Sequence, residues 1–245
     1  MDNDKSKYTY GEQMNLPAIF QNIGFAHKST SQTSSLDKEM IQEDFLKYQD
    51  KCVHSRNRFE NYIDEFEQRR YMSPVELLIC THYRDIDVLF NDLINRLEQF
   101  NSELNEINEW KYSRCYGSKN IKHLFESGHL YQNSHDYYYH GNPVLDVTSM
   151  VRNYAELFEW DETKLTGYFS SYLKGNPLDT AELFLFDIYL LDPTDYFQTV
   201  ERYVTRGSEN SMIEHIMLLK RCHRKLVQLN GFVNRNPIDE DEEMD

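Results

Sequence analysis

No window of this chain approaches the run of about 18 apolar residues that a membrane-spanning helix needs. Its first residues, MDNDKSKYTYGEQ, are polar and lack the apolar centre of a secretion signal. Cysteine is scarce: Cys52, Cys80, Cys115 and Cys222 show no C-x-x-C spacing. They are expected to be reduced thiols in a cytoplasmic chain. Positive charge is short too, with 26 Lys and Arg against 41 Asp and Glu, for a net charge of −15. That balance repels phosphate backbones and anionic headgroups, so neither nucleic acid nor a membrane is expected as a partner. Six of the last seven residues are acidic, which places part of the charge on a tail, 236–245, expected to be disordered. There is no H-E-x-x-H, P-loop, G-x-G-x-x-G or G-x-S-x-G motif.

What is present is aromatic and helical. Eighteen Tyr and 14 Phe argue against bulk disorder despite a mean hydropathy of −0.73. Leu16–His27, with Pro17 in its first turn, has the period of a helix. Ser29–Ser35 (STSQTSS) has no apolar anchor and is expected to be a linker. Ile41, Phe45, Tyr48, Cys52, Phe59, Tyr62 and Phe66 form one apolar stripe. Ser73-Pro74, with Glu76 placed for a capping box, opens a second stripe from Ile79 to Ile107. Two such helices predict an antiparallel hairpin over 37–109. Further on, Asp161 and Asp179 cap helices over 162–174 and 181–191, and two more are predicted over 194–205 and 211–230.

The central stretch breaks this pattern. Ile121–Phe125 and His129–Gln132 flank Ser127-Gly128, which predicts a small β-hairpin, and Pro143-Val144-Leu145-Asp146 opens a helix over 147–158. His129, His135 and His140 lie beside Asp136, but their spacing matches no common ligand pattern. A loop with Gly117, a hairpin, then P-V-L-D-V running into T-S-M-V-R-N-Y resembles the C-terminal lobe of the spore coat kinase-like proteins. These CotS/YutH-type proteins are a branch of the aminoglycoside-phosphotransferase superfamily. Trp160-Asp161, Pro177-Leu178 with Glu182-Leu183, Asp192-Pro193 with Glu201-Arg202-Tyr203, and Ile23–Lys28 extend the likeness over about residues 13–230.

The resemblance implies a mainly α fold: the helical C-lobe of a kinase-like (aminoglycoside phosphotransferase-like) protein, with a small central hairpin. It divides the chain into a disordered 1–12, a lobe over 13–235 and the acidic tail. Within the lobe lie the helical hairpin 37–109, a degenerate catalytic loop and hairpin over 115–146, and a bundle over 147–230. Laid on the family's H-G-D-x-x-x-x-N loop, Tyr116 takes the place of the His and Gly117 keeps the Gly. Ser118 stands where the catalytic Asp would be, and His123 replaces the metal-binding Asn. Ser134 or Asp136 falls at the metal-Asp position, and Asp146 matches the structural Asp that holds the loop. Ser cannot act as a carboxylate base, and His is a poor Mg²⁺ ligand beside oxygen donors. The strand-rich N-terminal lobe that contacts nucleotide phosphates is expected to be absent. The expectation is therefore a non-catalytic, pseudokinase-like scaffold or interaction protein without a cofactor. Its partner would be a protein, with the spore coat or sporulation as its setting. Two alternatives stay open: a small-molecule phosphotransferase using Mg-ATP through Asp136 and completed by a separate N-lobe, or a helical adaptor of unrelated fold. Absence of a hairpin at 121–133 would favour the last.

Overall fold

A computed structural model describes residues 15–128, 138–205 and 210–235. His129–Gln132, Ser134, His135, Asp136, the segment 1–12 and the acidic tail lie outside the described residues. The protein is mainly helical with a small three-stranded antiparallel sheet. Helix α1 (Leu16–Ser29) starts at Asn15, whose side chain accepts the Ala18 N–H, with Pro17 in the first turn. Asp37 caps α2 (Lys38–Glu67), and Ser73 with Glu76 forms a reciprocal capping box on α3 (Pro74–Glu106). These two long helices pack together, joined by hydrogen bonds from Arg56 to Asp87 and Asn91.

Strand β2 (Glu109–Cys115) follows, then α4 (Ser118–Ser127), β3 (Tyr139–Gly141) and α5 (Val144–Leu157). The chain closes through α6 (Glu162–Gly175), α7 (Thr180–Leu191), α8 (Thr194–Val204) and α9 (Met212–Arg235). Helix α7 is apolar on nearly every side. Phe184, Leu185, Phe186, Ile188, Leu190 and Leu191 are buried, and α3, α5 and α9 pack around it. An all-round apolar helix of this kind belongs at the centre of a core. Its first turn is tied to the sheet: Lys111 Nζ on β2 lies 2.8 Å from Glu182 Oε2, and Asn142 Nδ2 donates to Glu182 Oε1 at 3.2 Å. Burial pushes the Glu182 carboxyl up, against the pull of Lys111.

Two expectations change. Residues 121–125 are not a strand of a hairpin; they lie inside α4, where Ile121, Leu124 and Phe125 bury one face at i, i+3 and i+4. Gly128, at φ +80°, ends that helix as a left-handed cap whose N–H donates to Leu124 O at 2.8 Å. Positive φ serves a hairpin turn and a helix end alike, so the glycine could not discriminate between them. Within the supposed linker, Gln32–Ser35 forms strand β1, which pairs with β2 from Gln32↔Tyr112 to Ser35↔Glu109. All four β1 residues are exposed, so only backbone pairing defines this edge and no apolar pattern announces it. Strand β2 begins two residues past the Ile107 end of the second stripe, in a stretch where no strand is expected. It pairs on its other side with β3, Ser113↔Gly141 to Cys115↔Tyr139.

Helix α1 crosses α6 unusually closely. A Cβ on Gly24 would meet Tyr172 O at 2.6 Å, and one on Gly175 would meet Gln21 O and Phe25 N at 2.8 Å. That approach brings the last turn of α1 against Tyr172.

On the far side, His82 of α3 stacks on His223 of α9 with ring centroids 3.6 Å apart. His82 is 6% exposed and shares a hydrogen bond with the Tyr196 hydroxyl at 3.2 Å. Burial, then the His223 and Lys220 charges, pull it down to about 4, with Asp85 opposing. The unfolded chain takes up this proton near pH 6.5 and the native state does not. Stability should therefore be full above pH 6.5 and fall as pH drops toward 4, by at most about 3 kcal/mol. Urea midpoints measured from pH 7 to pH 4 should show a smaller loss in His82→Asn, which keeps an acceptor for Tyr196 but cannot protonate. An equal loss in both proteins would exclude His82 as the source.

Candidate functional site

The polar centre of the protein is built where β2, α4, α5, α1 and α6 meet. Strand β2 ends in Cys115, and Gly117, at φ +82°, turns the chain into α4. Only a residue without Cβ takes that conformation at little cost. Asp146 stands in the first turn of α5, where the helix dipole favours an acid, and is 0% exposed. Its Oδ2 accepts the Tyr116 N–H at 2.6 Å and its Oδ1 the Gly117 N–H at 2.8 Å. His27, also 0% exposed, sits in the last turn of α1 with Nε2 3.1 Å from Asp146 Oδ2. Its Nδ1 lies 2.9 Å from the Tyr172 hydroxyl, which Asn176 Nδ2 approaches at 3.2 Å. One assignment satisfies every atom. Asn176 donates to the Tyr172 oxygen, the hydroxyl donates to Nδ1, and Nε2–H donates to Asp146.

Burial, reinforced by Asp146, pushes the Cys115 thiol up to about 12. It donates weakly to Gly141 O at 3.4 Å. His27, Cys115 and Asp146 present ligand atoms within 4.8 Å of one another, all buried. A tetrahedral zinc would need the thiolate and a free Nε2 lone pair. The chemistry here runs the other way. Nε2 is directed at Asp146, and both carboxylate oxygens already accept backbone amides. The cluster fits a polar brace rather than a metal centre.

The residues singled out from sequence are placed as follows. Tyr116 is half-buried, and burial followed by Tyr138 and Asp146 raises its phenol. Gly117 is the N-cap of α4, and Ser118 is its exposed first residue. His123 is one turn further, its Nδ1 3.1 Å from Ser127 Oγ. Five residues along a helix turn the direction by about 140°, so Ser118 and His123 do not converge on one point. Asp136, the candidate metal ligand, lies outside the described residues, as does Ser134. His140 stands exposed on β3. Sequence reasoning missed the joining of His27, Tyr172 and Asn176 to Asp146. The ends of α1 and α6 carry no local mark of a partner so far along the chain.

No family model, no curated protein and no solved structure matches this chain.

Proposed function

We propose that the protein is a helical scaffold that engages a protein partner and performs no phosphoryl transfer of its own. The observation that carries this reading is the commitment of Asp146. It is the acid that touches the loop, and both of its oxygens accept hydrogen bonds from Tyr116, Gly117 and His27. A carboxylate so engaged and sealed from solvent has no access to an acceptor hydroxyl. Ser118 offers a hydroxyl where a base would be needed, and His123 faces elsewhere on α4. A kinase-like ancestry draws support from the grip of Asp146 on the loop. The helix α4 at 118–127, in place of a hairpin strand, weighs against it and favours an adaptor of unrelated fold. Spore coat proteins remain the partner class that the resemblance implies.

Nucleotide tests the proposal. A site saturated a hundredfold above its Kd stabilises by about 2.7 kcal/mol, easily seen as a thermal shift. Millimolar ATP with Mg²⁺ should give no shift beyond that of ATP alone, and no phosphate should pass to hydroxylated acceptors. A Mg²⁺-dependent shift abolished by Asp136→Ala would establish a working nucleotide site and sink the scaffold reading.

A further inference from the structure

A second polar feature lies beside the brace but is not part of it. A cleft of about 410 Å³ opens between the start of α4, the outer face of α5, the end of α7 and α9. In a chain of net charge −15, four cations line it: Lys119 and Lys122 from α4, Arg152 from α5 and Lys225 from α9. Two acids also line it, and each has partners outside it. Glu156 Oε1 is held by Arg221, and Asp192 Oδ1 accepts from Tyr48 at 3.1 Å and from the Thr194 hydroxyl at 2.7 Å.

The cations are held loosely by comparison. Lys122 lies 3.8 Å from Glu156 and 3.9 Å from Glu126, Asp195 lies 3.6 Å from Lys225 and 3.9 Å from Arg152, and Lys119 makes no ion pair among the described residues. Arg152 is steadied by Tyr189 O at 2.9 Å, which fixes its guanidinium at the edge of the cleft. The ten-residue α4 begins here with no side chain capping it, so its first-turn amides add partial positive charge. Thr148 stands in the same wall, with its hydroxyl oxygen buried away from the cleft.

We propose that this cleft binds a compact small molecule carrying at least two phosphate groups. Cations reach it from two sides, Lys119 and Lys122 on one, Arg152 and Lys225 on the other. The volume, about a dozen waters' worth, exceeds what a single phosphate fills. An extended polyanion such as nucleic acid is disfavoured by the acidic remainder of the surface. The inference does not depend on the scaffold reading.

Calorimetric titration of the full chain with inorganic pyrophosphate, at low salt and without Mg²⁺, tests it. Binding should be sub-millimolar, at least tenfold tighter than orthophosphate, and weaker as salt rises. Mg²⁺ should weaken it by competing for the phosphate oxygens, which separates this cleft from a Mg-ATP site. Lys119→Glu and Lys122→Glu, both at exposed positions, should each weaken binding at least fivefold with the thermal midpoint unchanged. Arg152→Gln should do the same if it folds. Absence of heat at millimolar pyrophosphate, or affinity untouched by the lysine variants, would overturn the proposal. So would a phosphoserine peptide binding more tightly than pyrophosphate, which would make the cleft a phosphopeptide dock.

Discussion

Asp146→Ala should lower the stability of the protein by about 3–5 kcal/mol, the largest effect expected of any single substitution in the polar centre. The carboxylate satisfies two backbone amides and one ring nitrogen in a place closed to water. Its removal leaves those donors buried without an acceptor, each costing about 1–3 kcal/mol. Against a typical total of about 5–15 kcal/mol, the variant should melt about 10 °C lower. Asp146→Asn should fall between, because its amide oxygen can accept one N–H while its NH₂ faces another donor. His27→Ala should cost less than Asp146→Ala, since the two backbone amides keep their acceptor. Hydrogen exchange gives a local check: the Tyr116 and Gly117 amides should lose protection in Asp146→Ala more than the amides of α2. A melting point within 2 °C or so of the parent would mean that water or a shifted side chain replaces the carboxylate at little cost.

The second large effect is expected where helix propensity gives the opposite sign. Exchanging Gly24 for alanine within a helix should by propensity alone stabilise by about 1 kcal/mol. Here the added methyl would stand 2.6 Å from Tyr172 O and 3.2 Å from Asn176 N, both backbone atoms that cannot swing aside. Overpacking against such atoms costs about 1–3 kcal/mol and forces the helices apart. Gly24→Ala should therefore destabilise by about 2 kcal/mol, and Gly175→Ala, with two contacts at 2.8 Å, by a similar amount. Separation of α1 from α6 would also lengthen the bond between His27 and Tyr172, so both variants should loosen the Tyr116 and Gly117 amides from a distance. Urea unfolding showing either variant to be as stable as the parent would mean that the crossing is looser than 2.6–2.8 Å implies.

Helix starts were legible because their signals are local. Ser73 with Glu76, Asp161, and Asp179 with Glu182 each accept the amide three residues on, a geometry set within one turn. The stripes of α2 and α3 were legible for a related reason, being repeated over many turns. The sheet was not. Strand β1 is exposed throughout, and β3 is three residues long, so neither shows an alternation of any length. The segment 118–127 was misread because Ile121, Leu124 and Phe125 are too few to fix a period, and Gly128 suits either outcome. Asp146 could be located as a first-turn acid. Its engagement with His27 could not, because the partner is 119 residues away and nothing near either residue encodes the meeting.

The crossing of α1 with α6 also has a consequence in time. Gly24 and Gly175 are separated by about 150 residues, which a ribosome working at roughly 5–20 residues per second takes about 7–30 s to add. Through that interval the face of α1 that carries Leu16, Phe20 and Ile23 has only part of its cover: β2 and Phe125 of α4 pack on it early, and α6 completes it last. A nascent chain stalled before α6 is therefore expected to bind holding factors that the finished chain does not.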